Sequence, residues 1–144
     1  MAQLAFTTRR LVCAVGCAAA LLLSACEPLG PDELQREVET IGSVSAEGSV
    51  LADQVARQST KRTFARVQSR ELADAAEHSA ERLTDAHPAD GLGEPTQRAI
   101  DLAGRISDEI GELEQAPDDA TQAAGIATRL RDLSDQADSL AGSL

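Results

Sequence analysis

The chain has 144 residues, enough for one domain and one core. Its formal charge of −11 is unevenly spread: Arg9 and Arg10 are the only charged residues in 1–25, so residues 26–144 carry 11 basic against 24 acidic groups, a net of −13. Such an acidic surface argues against nucleic acid, whose phosphates need Lys and Arg, and with Phe64 the one aromatic beyond residue 25 there is no stacking platform for bases, sugars or flat cofactors.

The first element is a basic stretch, residues 1–10, followed by an unbroken apolar or small run over 11–23 (LVCAVGCAAALLL) and then Leu23-Ser24-Ala25-Cys26. A basic region, a short apolar run and small residues before a cut are the three parts of an export signal. From Leu11 to Ala25 the run is 15 residues, short of the roughly 20 that a spanning helix needs. An ordinary secretory cut at the small residues and a short membrane span are the other readings of this segment.

Leu23-Ser24-Ala25-Cys26, standing directly after the apolar run, resembles the lipobox of bacterial lipoproteins. The resemblance covers residues 1–26. It implies that the thiol of Cys26 receives a diacylglycerol, that the signal is removed between Ala25 and Cys26, and that the protein is lipid-anchored on the extracytoplasmic face of a cell membrane. Cysteine usage agrees, because Cys13 and Cys17 would leave with the signal and Cys26 would have no disulfide partner in an oxidising compartment.

Residues 26–31 (CEPLGP) read as a short, stiff tether, with Pro31 suited to a helix's first turn. Residues 32–144 then read as a helical domain. A first helix is predicted from Leu34, Val38, Ile41, Ser45, Gly48, Ala52 and Val55, spaced 4-3-4-3-4-3, with Val44 and Leu51 widening the stripe. Ser59 or Thr60 is expected to cap a second helix whose stripe is Phe64, Val67, Leu72, Ala75, Ala76, Ser79 and Leu83. Residues 84–95 hold two prolines and two glycines, a break. A third helix follows from about Pro95 with Ala99, Ala103, Ile106, Ile110 and Leu113, and Pro117 with Asp118 and Asp119 marks the start of a fourth. Its stripe is Ala123, Ile126, Leu130, Leu133, Ala137 and Leu140.

No segment alternates with period two. The expected fold is therefore all-α: an up-and-down antiparallel four-helix bundle after an N-terminal signal helix. The core is thin, since Leu, Ile, Val and Phe make up about 19% of residues 26–144, a level typical of disordered chains, and only the periodicity argues for folding. A second arrangement is two long hairpins that complete their core as a homodimer.

Chemistry is sparse. Beyond residue 25 the only histidines are His78 and His87, too few for a zinc site once Cys26 carries lipid. Asp74, Glu77 and His78 read as a surface ion-pair group. No Glu-x-x-His pair of a di-iron bundle and no Gly-x-Ser-x-Gly elbow occurs. The expectation is no enzyme, no cofactor and no metal.

One feature stands apart. Five of the 11 basic residues lie within 57–70, namely Arg57, Lys61, Arg62, Arg66 and Arg70, with no acid from Gln54 through Ser69. Arg62, Arg66 and Arg70 recur every four residues along one helix face. They read either as a docking face for an envelope protein or an anionic cell-wall polymer, or as internal partners of Glu112, Glu114, Asp118 and Asp119 at the far end of the bundle. The functional expectation is a membrane-anchored, non-enzymatic bundle that contacts another envelope component. A lipoprotein that carries a small ligand or lipid between its helices is the alternative.

Overall fold

A computed structural model describes residues 28–144; the signal segment and Cys26 lie outside the described residues. The described chain is four α-helices: α1 (Pro31–Ala56), α2 (Arg62–Asp85), α3 (Gly93–Gln115) and α4 (Ala120–Ala141). Pro31 opens α1, where its missing N–H is no loss, and Asp32 and Glu33 in the first turn complement the helix dipole. Asp119 caps α4 by accepting from the backbone N–H groups of Thr121 and Gln122 at 3.0 and 2.9 Å.

Polar contacts between helices show the antiparallel order. Arg82 pairs with Glu37 and Gln68 with Glu47 between α1 and α2; Arg70 pairs with Glu114 between α2 and α3; Arg129 pairs with Glu109 between α3 and α4; Arg131 pairs with Asp53 between α4 and α1. The four helices thus form an up-and-down bundle with sequential neighbours adjacent. The section is flattened: α1 packs most extensively on α4, and α2 on α3. Across the centre the α1 backbone comes close to α3, whereas among the described residues the backbones of α2 and α4 stay apart.

The core closes within one chain. The stripe expected for α1 is buried from Leu34 through Val55 apart from the flanking Val44, which is half-buried, and those of α3 and α4 are buried throughout. The largest fully buried side chains are leucines and isoleucines, among them Leu34, Ile41, Ile106, Ile110, Leu113, Ile126 and Leu130. The rest of the interior is small. Gly42 and Ser45 on α1 lie against α4, and Gly48 is wedged so closely between α3 and α4 that a Cβ there would stand 3.0 Å from Ile110 and 3.2 Å from Leu130. Hydroxyls link the close pairs: Ser45 donates to the carbonyl of Leu130 at 2.7 Å, Ser134 to that of Gly42 at 3.2 Å, and Ser107 to that of Ala73 at 3.3 Å. Each of these carbonyls has a second lone pair for the purpose.

Helix α2 corrects the expected pattern. Its inward face is Ala65, Ser69, Leu72, Ala76, Ser79 and Leu83, a regular 4-3-4-3-4 series. Phe64 and Val67, read as core, are 53% and 52% exposed, and Ala75 is exposed as well. A phenyl ring on the inward face would hold α2 away from α3, so the periodic series of small residues prevails over side-chain hydrophobicity. Neither Ser59 nor Thr60 caps α2, whose N-cap is Lys61 without a side-chain bond; the Ser59 hydroxyl and N–H both donate to the carbonyl of Gln54 at the end of α1. With Gln58 N–H bonded to the carbonyl of Val55 and Gln58 at φ 55°, this is a Schellman ending with a non-glycine residue in the left-handed position.

The segment before α1 is docked. Leu29 N–H donates to the carbonyl of His87 at 2.9 Å, and Ala89 N–H donates to the carbonyl of Leu29 at 3.1 Å, a parallel bridge onto the loop between α2 and α3. The Leu29 side chain is buried against the core. The stretch read as a tether is therefore part of the folded body from residue 29 onward.

Three substitutions test this packing by chemical denaturation. Gly48→Val is expected to lower stability by about 1–3 kcal/mol through overpacking against Ile110 and Leu130. Gly104→Ala, with open space around the added Cβ, is expected to raise it by about 0.5–1 kcal/mol. Gln58→Gly relieves the left-handed backbone and is expected to raise it by a similar amount, roughly 0.5–1 kcal/mol.

Candidate functional site

The basic residues of 57–70 gather at the end of the bundle opposite Leu29, beside the α3–α4 turn. The two outer arginines of the expected face are paired there. Arg62 lies 3.5 Å from Asp118, and Arg70 donates twice to one oxygen of Glu114, at 2.9 and 2.5 Å. Arg57 lies 3.7 Å from Asp53, an acid that also receives Arg131. Arg66, midway between Arg62 and Arg70, is exposed and makes no ion pair among the described residues; neither does Lys61. The cluster thus divides, with Arg62 and Arg70 spent on the bundle's own acids and Arg66 and Lys61 facing solvent.

Helix electrostatics make the cluster unfavourable where it stands. An α-helix start carries partial positive charge, and α1 and α3 meet it with acids in the first turn, Asp32 and Glu33 on α1 and Glu94 on α3. No acid stands in the first turn of α2, which begins instead with Lys61 and Arg62. Each such cation costs about 0.3–1 kcal/mol at low salt. From Glu71 onward α2 turns acidic, with Asp74, Glu77, Glu81 and Asp85, although Arg82 places one favourable cation in the last turn. The start of α2 is thus charged against the helix dipole, and of its two cations only Arg62 has an acid beside it, Asp118.

The same stretch carries the bundle's exposed apolar side chains. Phe64 and Val67 stand on α2 among the cations, and Val50, 56% exposed, lies on the last two turns of α1 toward the same end. Sequence patterning placed Phe64 and Val67 inside; the signal that they lie outside was the unbroken series Ala65-Ser69-Leu72-Ala76 beside them.

The remaining expected groups do not converge. His78 is exposed, and its Nδ1 lies 3.5 Å from Glu81, one turn on, rather than beside Asp74 or Glu77. His87 contributes its backbone carbonyl to Leu29. Among the described residues no three His, Cys, Asp or Glu side chains come together as a metal site. A groove of about 510 Å³ runs between α3 and α4 toward the Leu29 end, lined by Arg98, Asp101, Leu102, Arg105, Gln136 and Leu140 among others. It is open, its exposed wall more apolar than polar although most of the residues around it are charged, amide or hydroxyl, and Arg105 donates to Gln136 across it at 3.1 Å. No helix of the described residues is long and apolar enough to cross a membrane.

Compared with known protein families, curated proteins and solved structures, the chain matches none of them.

The ion pairs at this end are more than half exposed on their arginine side, and exposed pairs contribute little. Arg70→Ala is expected to lower stability by less than about 1 kcal/mol, a loss that shrinks in concentrated salt, whereas Arg62→Ala is expected to leave it nearly unchanged, since losing the exposed Asp118 pair is offset by relief of the helix dipole. Thermal melts of the two variants at low and high ionic strength check this.

Proposed function

We propose that the protein is a bacterial lipoprotein whose helical bundle is held to the extracytoplasmic face of a membrane by lipid on Cys26, and that it works by contact with another envelope component rather than by catalysis. The observation that carries this reading is the sequence Leu23-Ser24-Ala25-Cys26 at the end of the apolar run that begins at Leu11, with Cys26 three residues ahead of the docked Leu29. Acyl chains contribute roughly 0.8 kcal/mol per buried methylene, so two or more hold a protein firmly at a bilayer.

The docking of Leu29 supports the reading by its geometry. Only Glu27 and Pro28 stand between the lipid-bearing residue and the folded body, a reach of at most about 11 Å. The Leu29 end of the bundle would then rest near the bilayer. Helix α1, with 26 residues, extends about 40 Å from that end, so the basic and apolar patch on α2 is directed away from the lipid. A carrier role has less support, because the groove between α3 and α4 offers Leu102 and Leu140 to an apolar ligand amid charged and amide side chains.

Intact-mass and fractionation analysis of the protein beside its Cys26→Ala variant tests the anchoring. The wild type is expected in the membrane fraction, lacking residues 1–25 and carrying acyl mass that the variant lacks. Equal solubility of the two forms, or retention of residues 1–25 in both, would sink the reading.

A further inference from the structure

Resting on the envelope-contact reading, we infer that the exposed face of α2's first turns, with Lys61, Phe64 and Val67 along one flank and Arg66 on the other, is a docking surface for a second protein that presents an apolar pocket rimmed by carboxylates. Lys61, just before α2, and Phe64 and Val67 follow one another at three-residue steps along one ridge of the helix, while Arg66, about 100° round the helix axis from Val67, stands on the other flank of the exposed face, in line with Arg62 and Arg70. Here the bundle exposes the one aromatic ring of its described residues and two cations with no ion-pair partner among them. An aromatic ring and an arginine are the side chains that most often dominate protein–protein contacts, the ring filling a pocket and the guanidinium meeting acids at its rim.

Charge chooses among occupants. A polyanionic polymer needs cations alone, and the two nearest arginines are already engaged by Asp118 and Glu114, while Phe64 and Val67 would remain in water. Lipid headgroups lie at the other end of the bundle when Cys26 is anchored. A second copy is disfavoured as well, because copies standing in one membrane run their α2 helices parallel and bring Lys61 and Arg66 against the same cations. A foreign acidic rim around an apolar hollow satisfies the ring and the two cations together. It would also answer the adverse dipole of α2, since bound carboxylates would lie at the helix start where negative charge is favoured.

Site-specific photocrosslinking in the cells that make the protein tests this, with Phe64→benzoylphenylalanine and Val67→benzoylphenylalanine in the full chain. Glu81→benzoylphenylalanine and Asp108→benzoylphenylalanine serve as controls on other exposed positions. The expected result is a discrete protein adduct from positions 64 and 67 and none from 81 and 108. Its crosslinked peptide, read by mass spectrometry, should pair apolar residues with acids. Arg66→Glu should lower the adduct about tenfold or more, and changing one mapped acid of the partner to Arg should restore it. Circular dichroism and melting of the Arg66→Glu protein should match the parent, since the residue is exposed. An adduct with a second copy, a polymer smear, equal labelling at all four positions, or indifference to Arg66→Glu would each overturn the proposal. Acyl mass, measured on the same samples, reports the anchoring independently, so loss of the adduct with acyl mass retained condemns the docking surface alone.

Discussion

Ser45 donates its hydroxyl to the carbonyl of Leu130 on another helix, and Ser134 returns the contact by donating to the carbonyl of Gly42. A side chain one carbon long reaches a neighbouring backbone only where two helices run very close, and that closeness is the constraint on which the rest of the bundle depends. With so few large apolar residues, the interior cannot be filled by bulk and is instead made narrow. Gly42 sits against Ala137 and Gly48 against Ile110 and Leu130, so the few isoleucines and leucines meet across a thin centre. The flattened section follows: α1 on α4 and α2 on α3 are close-packed pairs, and the two pairs share the aliphatic layer between them.

The same constraint explains which side chains were expelled. The interior that accepts Ala65, Ser69 and Ala76 from α2 has no room for a phenyl ring, and Phe64 is displaced to the surface. A chain poor in apolar residues has thereby left the single aromatic ring of its described residues outside the core, next to cations that α2's own dipole opposes. Stability and the patch pull in different directions, which is the pattern expected where a surface has been shaped by something other than folding.

The sequence made the architecture legible because helical periodicity is a local property. Leu34 through Val55, Ala99 through Leu113 and Ala123 through Leu140 each declare one face of a helix without reference to a partner. Helix α2 was misread where residue type was weighed above spacing, although the correct series lay one residue away. The arginine cluster was legible as a cluster and as a neighbour of the α3–α4 acids, since both follow from helix lengths. Which arginine pairs with which acid was not, because Arg62–Asp118 and Arg70–Glu114 depend on the rotation of α2 about its axis. The docking of Leu29 left no trace in the sequence at all. It is made by backbone groups of Leu29, His87 and Ala89, which every residue but proline possesses in full.

That small parallel bridge has a consequence for how an anchored protein would meet others. A domain on a long flexible leash tumbles almost as freely as one in solution, and a partner binding it must arrest that tumbling. With Leu29 clamped and two residues of slack, the bundle would stand as a post, its far tip held at nearly constant height and its tilt restricted. Encounter would become a search in two dimensions between surfaces already roughly facing each other, and the rotational entropy lost on association would be smaller. A weak patch could then serve, provided that its partner carries the matching surface some four nanometres from the bilayer.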